Sequence, residues 1–101
     1  MKRVLTAALL IAFATPAALA SADLAKDKKC LACHEVEQKV VGPAYKTIAG
    51  KYTPSDAVIA KLAGKIRQGG SGVWGVVPMP ANPQVNETEA KALASWILSL
   101  K

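Results

Sequence analysis

A chain of 101 residues with a formal net charge of +6 has room for one small domain. The positive charge is modest and is not gathered into one arm, so the composition does not favour a nucleic-acid-binding protein. Two cysteines and one histidine fall one ligand short of a structural zinc site, unless a carboxylate joins them.

The first residues of the chain have the three parts of a secretory signal peptide. A basic start at residues 1–3 is followed by an apolar run over residues 4–14. An Ala-x-Ala cleavage site then ends at Ala20, and a second such site ends at Ala22. Cleavage therefore leaves a mature chain that begins after one or the other of these alanines.

An uncleaved membrane anchor is the competing interpretation of this segment. The apolar run is too short to span a bilayer comfortably, and Pro16 interrupts it near its end. The sequence therefore favours export to the bacterial periplasm with removal of residues 1–20, or 1–22. We expect the mature protein to be a single domain over residues 21–101, without stable membrane insertion.

The first predicted helix of the mature chain runs from Asp23 to Leu31, with Asp23 as its N-cap. Lys26, Lys28 and Lys29 lie near its end, and we expect them on a solvated face of the helix.

A Cys-x-x-Cys-His motif at residues 30–34 is the most informative feature of the chain. This pattern is the attachment signature for a c-type haem. The thiols of Cys30 and Cys33 can each add across a haem vinyl group to form a thioether, and His34 can then bind the iron from one side. The sequence predicts one haem c, with its iron, held covalently through both cysteines.

Three other interpretations fit the two cysteines less well. A thioredoxin-like dithiol requires a strand–helix–strand setting, which the sequence does not show. A zinc site lacks its fourth ligand. A disulfide between these cysteines would close a very small loop, and stabilisation by a disulfide grows with loop length.

Two further helices are expected in the middle of the chain. Residues 35–41 show no clear period and predict a loop, and residues 44–50 predict a short helix that ends at Gly50. Thr53-Pro54-Ser55-Asp56 provides a cap, a proline at the first helical position and an acidic residue in the first turn. The helix that follows should stop at Gly69-Gly70. Its apolar residues repeat at helical spacing: Val58, Ile59, Leu62, Ala63 and Ile66.

Residues 69–83 are dense in glycine and proline, which predicts an irregular loop, and long loops in small domains are commonly functional. The loop presents Met79 between Pro78 and Pro80, whose restricted backbone angles stiffen this segment. Apart from the initiator, Met79 is the only methionine, and His34 is the only histidine. A lone methionine is usually a gap-filler in a core. The position of this one in a stiff loop favours His34 and Met79 as the two axial ligands of the iron.

Asn86 and Glu89 form a capping arrangement that begins the last helix, which we expect to extend to Leu100. No alternating strand pattern of useful length is present, so the predicted fold class is all-α. The apolar face of the last helix consists of Ala90, Leu93, Ala94, Ile97 and Leu98.

The ordered set of motifs resembles that of the small bacterial class I cytochromes c of the cytochrome c-551 type. The haem-attachment motif alone is shared by every c-type cytochrome, but the whole set is highly specific and covers essentially all of residues 21–101. The resemblance implies four to five helices wrapped around one covalently bound haem, with the N- and C-terminal helices crossing near Trp96. The matching segments are Cys30 to His34, Val41 to Lys46, Gly72 to Gly75, Pro78 to Pro80, and Ala94 to Leu98.

The resemblance also implies roles for four residues around the haem. The carbonyl of Pro43 would accept a hydrogen bond from the free ring nitrogen of His34. Trp74 would donate its indole N–H to a haem propionate. Lys65 stands where relatives often carry a propionate-binding arginine, and it keeps the charge without the planar fork. Asn82 matches an amide near the methionine sulfur, although the residue after it departs from the family pattern.

With both axial positions filled by protein, the iron has no open coordination position, so we expect a one-electron carrier and not an enzyme. The resemblance implies that a monomer exchanges electrons transiently with a membrane cytochrome complex and a terminal reductase, oxidase or reaction centre. We expect weak docking through a small apolar surface near the haem edge, with lysines that steer acidic partners. The apolar residues of this expected surface are Leu31, Ala32, Val40, Val77, Pro78 and Pro80.

Two alternatives from other classes stay open at this point. In the first, Met79 dissociates and the iron binds peroxide or a gas, which makes the protein a haem enzyme or a ligand sensor. In the second, the domain docks permanently in a larger haem complex. The stiff frame of Pro78 and Pro80 argues against easy release of the methionine.

Overall fold

The computed structural model describes residues 17–101, and the side chains from residue 21 onward. Over this range the chain forms four α-helices and one short 3₁₀ helix, with two isolated backbone bridges but no strand. The prediction of an all-α fold is confirmed. The predicted signal peptide lies mostly outside the described residues. The helices are α1 (Ala17–Asp27), α2 (Tyr45–Lys51), α3 (Asp56–Gln68) and α4 (Glu87–Leu98), and the 3₁₀ helix is Cys30–Ala32.

α1 differs from its prediction at both ends. Asp23 lies inside the helix and is not its N-cap, because the alanines and leucine that precede it are strong helix formers and carry the helix back to Ala17. The helix stops at Asp27 and does not reach Leu31. Lys29 adopts a left-handed conformation (φ 66°, ψ 17°), which separates α1 from the 3₁₀ helix.

α2 continues through Gly50, which was predicted to end it. Gly50 does not have a positive φ, so it does not adopt the left-handed conformation with which glycine usually ends a helix. The helix instead ends at Lys51, where Tyr52 turns to extended backbone. The buried residues Ile48 and Ala49 anchor this short helix in the core.

α3 begins slightly later than predicted, with Ser55 and not Thr53 as its N-cap. The Ser55 hydroxyl accepts a hydrogen bond from the Val58 N–H at 3.1 Å, which leaves Pro54 outside the helix. The helix stops at the predicted place. Gly69 has a φ of 73° and donates its N–H to the Lys65 carbonyl at 2.8 Å.

α4 confirms the predicted capping arrangement in full. The Asn86 side chain accepts from the Glu89 N–H at 2.8 Å, and the Glu89 carboxylate accepts from the Asn86 N–H at 3.1 Å. The helix ends at Leu98, short of the predicted Leu100. The predicted apolar face is buried throughout: Ala90, Leu93, Ala94, Ile97 and Leu98.

α4 is the central element of the domain, because each of α1, α2 and α3 packs against it. The small side chains of Ala25, Ala90 and Ala94 are fully buried, which lets neighbouring helices approach closely. No helix within residues 17–101 combines the length and the apolar character that a membrane span requires.

Lys28 links the N- and C-terminal helices, contrary to its expected place on a solvated face. Its Nζ donates to the Gln84 carbonyl at 3.0 Å and lies 3.6 Å from a carboxylate oxygen of Glu89. This half-buried lysine therefore holds the end of α1 against the start of α4. Both helices are thus fixed relative to the Cys-x-x-Cys-His segment that follows α1.

Replacement of Lys29 with glycine should stabilise the protein by about 0.5–1 kcal/mol. A left-handed conformation costs a non-glycine residue about 1–2 kcal/mol, and the greater freedom of glycine in the unfolded chain offsets part of the gain. The measurement is the free energy of unfolding by equilibrium denaturation. Lys29→Ala is the matched control, since it removes the charge but keeps Cβ, and it should not be more stable than the wild type. Equal stability of the glycine and alanine variants would contradict this prediction.

Candidate functional site

The imidazole of His34 is oriented by a hydrogen bond to the backbone of Pro43, nine residues further along the chain. His34 is buried, and its Nδ1 lies 2.7 Å from the carbonyl oxygen of Pro43. A carbonyl can only accept a hydrogen bond, so Nδ1 carries a proton, and in the neutral imidazole Nε2 then keeps a free lone pair. The arrangement prepares Nε2 to bind a metal ion. The family resemblance implied this same hydrogen bond between the His34 ring and the Pro43 carbonyl.

Gly42 lies directly against the His34 ring. A Cβ on Gly42 would overlap ring carbon Cε1 and would lie 2.8 Å from Nδ1, which is closer than real Cβ contacts come. The Gly42 N–H also donates to the Cys33 carbonyl at 2.7 Å, so the backbone is fixed at this close approach. The sequence places Gly42 directly before Pro43 in a matching segment, but the contact between Gly42 and the His34 ring is seen only in the structure.

Cys30 and Cys33 are half-buried thiols that are not joined in a disulfide. The 3₁₀ helix sets their spacing, because the N–H groups of Cys33 and His34 both donate to the Cys30 carbonyl, at 3.1 and 3.0 Å. Burial raises the pKa of the Cys30 thiol above its ordinary value. Among the side chains that the structure describes, no three histidine, cysteine or acidic groups lie close enough together to hold a metal ion.

Met79 is positioned by backbone contacts with the end of α3. Its N–H donates to the Gly70 carbonyl at 2.8 Å, and the Gly70 N–H donates to the Met79 carbonyl at 3.1 Å. Gly69 packs so closely that a Cβ there would overlap the Met79 carbonyl oxygen. The half-buried Met79 side chain packs against the hydrophobic core. The loop that carries this methionine is therefore fixed, although it contains no regular structure.

Asn82 attaches the other side of the methionine loop to the same helix. Its side-chain amide donates to the Ile66 carbonyl at 2.9 Å and to the Pro80 carbonyl at 3.3 Å. Its backbone N–H donates to the Arg67 carbonyl at 3.1 Å. The amide thus bonds to backbone carbonyls in this structure, and its contact with the Met79 sulfur stays a prediction.

Trp74 lies in a tight turn that is closed by a hydrogen bond from the Gly72 N–H to the Gly75 carbonyl at 2.8 Å. The Nζ of Lys51 lies 5.3 Å from the centre of a Trp74 ring, within the range of a cation–π contact. Lys51 was not predicted as a site residue, because no local sequence pattern connects α2 with this loop. Lys65, on the last turn of α3, lies instead beside Gly70.

These donors fit a haem with its iron. An imidazole nitrogen with a free lone pair and a thioether sulfur are suitable axial ligands, and two thiols three residues apart suit covalent attachment. Large apolar side chains also stay exposed in the two segments that follow His34 and precede Met79, as expected of surfaces that another apolar group covers. With Leu31 of the 3₁₀ helix, they are Val40, Val41, Val73, Trp74, Val76 and Val77.

Comparison with known proteins identifies the family. The family model for cytochrome c matches residues 18–101. Cytochrome c-552 of Nitrosomonas europaea is 61% identical over 84 residues, which are 83% of this chain and 82% of that protein. Cytochrome c-551 of Ectopseudomonas mendocina is 53% identical over 79 residues, which are 78% of this chain and 95% of that protein.

Solved structures give the same result for the fold. The crystal structure of wild-type Nitrosomonas europaea cytochrome c552 matches with a TM-score of 0.76 and 61% identity, over 79% of this chain and 99% of that one. The class 1 cytochrome MtoD from Sideroxydans lithotrophicus ES-1 matches with a TM-score of 0.64 at 29% identity, over 80% of this chain and 92% of that one. The chain therefore belongs to the cytochrome c family, as a small class I cytochrome c that carries electrons with the iron of a covalently bound haem c.

Proposed function

We propose that this cytochrome works in the periplasm as a one-electron carrier whose iron is bound on both sides by protein, by His34 and by Met79. The observation that carries the proposal is the hydrogen bond from His34 Nδ1 to the Pro43 carbonyl, which leaves Nε2 free to bind iron. Haem c, when bound, supplies the iron that alternates between the ferric and ferrous states. The residues described below hold the ligands still while the charge changes.

The two ligands are held by independent parts of the fold. His34 is fixed by Pro43 and by the close approach of Gly42. Met79 is fixed by its paired hydrogen bonds with Gly70. A thioether is a soft ligand that favours the ferrous state, so this pair of ligands suits a carrier with a raised reduction potential.

The remaining predicted residues would hold the haem at its edges. Cys30 and Cys33 would form the two thioether links. Trp74 would donate its indole N–H to a propionate, and Lys65 would supply a positive charge there. Asn82 supports the site by attaching the methionine loop to α3.

Redox partners would dock on the expected apolar surface near the haem edge. A small surface of this kind suits a weak and brief complex with a monomeric carrier. Lys26 and Lys29 are exposed and can steer acidic partners, whereas Lys28 is bound to Gln84 and Glu89 and contributes less. The exposed apolar residues are Leu31, Ala32, Val40, Val77, Pro78 and Pro80.

Export would use the cleavage site that ends at Ala20. Ser21 is buried, and its hydroxyl lies 3.5 Å from the Ala92 carbonyl of α4. Ala22 packs against the hydrophobic core. Both residues are therefore parts of the folded domain, and cleavage after Ala22 would remove them.

The intact mass of the protein purified from the periplasm should correspond to a chain that begins at Ser21 and carries one haem. Cleavage after Ala20 keeps the buried contact between Ser21 and α4. A mass that corresponds to a chain beginning at Asp23 would contradict this choice of site. Recovery of the full-length chain in the membrane fraction would contradict export with cleavage.

Met79→Ala should open one side of the iron. In the wild type, reduced protein should bind carbon monoxide very weakly near neutral pH, because the Gly70 pairing keeps Met79 in place. The variant should bind it readily and should lose the long-wavelength ferric absorption band of a methionine-ligated haem. Absorption spectra before and after addition of the gas provide the measurement. Ready binding by the wild type would favour the enzyme or sensor alternative.

Gly42→Ala should disturb the histidine side of the haem. The added methyl group would overlap the His34 ring, and overpacking of this kind costs about 1–3 kcal/mol of stability. The variant should also shift the reduction potential, because the imidazole must move relative to Pro43.

Gly50→Ala is the matched control for this substitution. Gly50 lies within α2 and a Cβ there meets no atom within 4 Å, so alanine should leave the potential unchanged and stabilise the helix slightly. Equal stabilities and potentials for the two variants, measured by denaturation and redox titration, would argue against the proposed role of Gly42.

A further inference from the structure

Tyr45 packs directly on the His34 ring. It is the first residue of α2 and is only 3% exposed. The two rings are stacked, with their centroids 5.2 Å apart and their planes 19° from parallel. The Tyr45 N–H donates to the Glu35 carbonyl at 2.8 Å, so the backbone also joins Tyr45 to the residue after His34.

Tyr45 also contacts the central helix. The edge of its ring meets Trp96 of α4, with the centroids 5.3 Å apart and the planes at 68°. Cys30 packs against the same hydrophobic core. One buried side chain therefore touches both the histidine and the central helix.

These contacts restrict a motion that the Pro43 hydrogen bond leaves open. A hydrogen bond at Nδ1 fixes the position of one ring atom, but the plane of the imidazole can still turn about that contact. A stacked aromatic face opposes this turning, because rotation of His34 would push its ring into Tyr45. The Tyr45 ring cannot move away easily, because Trp96 packs against the Tyr45 ring.

We propose that Tyr45 is a positioning residue that sets the plane of the His34 imidazole and couples it to helix α4 through Trp96. The proposal rests on His34 as an iron ligand, as proposed above. The plane of an axial imidazole affects its electronic interaction with iron, so a change in this plane is visible in the spectrum of the ferric protein. Tyr45 thus acts on the redox centre through His34.

The test compares two variants of the haem-loaded protein by proton NMR in the ferric state. Tyr45→Leu removes the stacked face, and the paramagnetically shifted signals of the His34 ring should broaden or split. Tyr45→Phe keeps the face and loses only the hydroxyl, so the His34 signals should stay single. Ala92→Gly, at an exposed position of α4, is the control, because it destabilises the helix and should leave the His34 signals unchanged.

The outcomes separate this inference from the proposed function. His34 signals in Tyr45→Leu that match those of the wild type and of Ala92→Gly would overturn the role of Tyr45. If Tyr45→Leu does not yield haem-loaded protein, the same NMR measurement is made on Trp96→Leu, which removes the side chain that packs against Tyr45. Broadened His34 signals in this variant would support the inference, and unchanged signals would overturn it. Absence of shifted imidazole signals from the wild type would instead overturn the ligation itself.

Discussion

The hydrogen bond between His34 Nδ1 and the Pro43 carbonyl is the interaction on which the rest of the site depends. A buried ring N–H without an acceptor would cost about 1–3 kcal/mol, so this bond satisfies the group and selects its tautomer at once. It leaves Nε2 as the only ring nitrogen that can bind iron. The close approach of Gly42 and the stacked ring of Tyr45 then restrict the motion that this bond leaves to the ring.

On the other side of the site, the methionine itself is held by backbone hydrogen bonds. The end of α3 pairs with Met79 through Gly70 and holds the following residues through Asn82. The two proposed ligands therefore reach the site from separate segments, one after α1 and one after α3. Helix α4 packs against both α1 and α3, and it thereby fixes the two segments relative to each other. A carrier benefits from this arrangement, because its ligands need to keep their positions when the charge on the iron changes.

Features that depend on adjacent residues could be predicted from the sequence, whereas those that depend on distant ones could not. The predicted capping pair of Asn86 and Glu89 is confirmed, because both residues lie in one turn. The predicted end of α2 at Gly50 was wrong, since glycine ends a helix only where the backbone turns left-handed. The contacts of Tyr45 and of Lys51 join segments that are distant in the chain, and no local pattern reports them.

X-ray absorption at the iron edge is the decisive measurement for ligation by His34 and Met79, because it reports the atoms bound to the metal in each oxidation state. For the protein purified from the periplasm, we expect one sulfur neighbour beside the nitrogens in both the ferric and the ferrous forms, with an unchanged coordination number. A spectrum without sulfur, or a neighbour lost on reduction, would contradict ligation by His34 and Met79 and with it the proposed carrier.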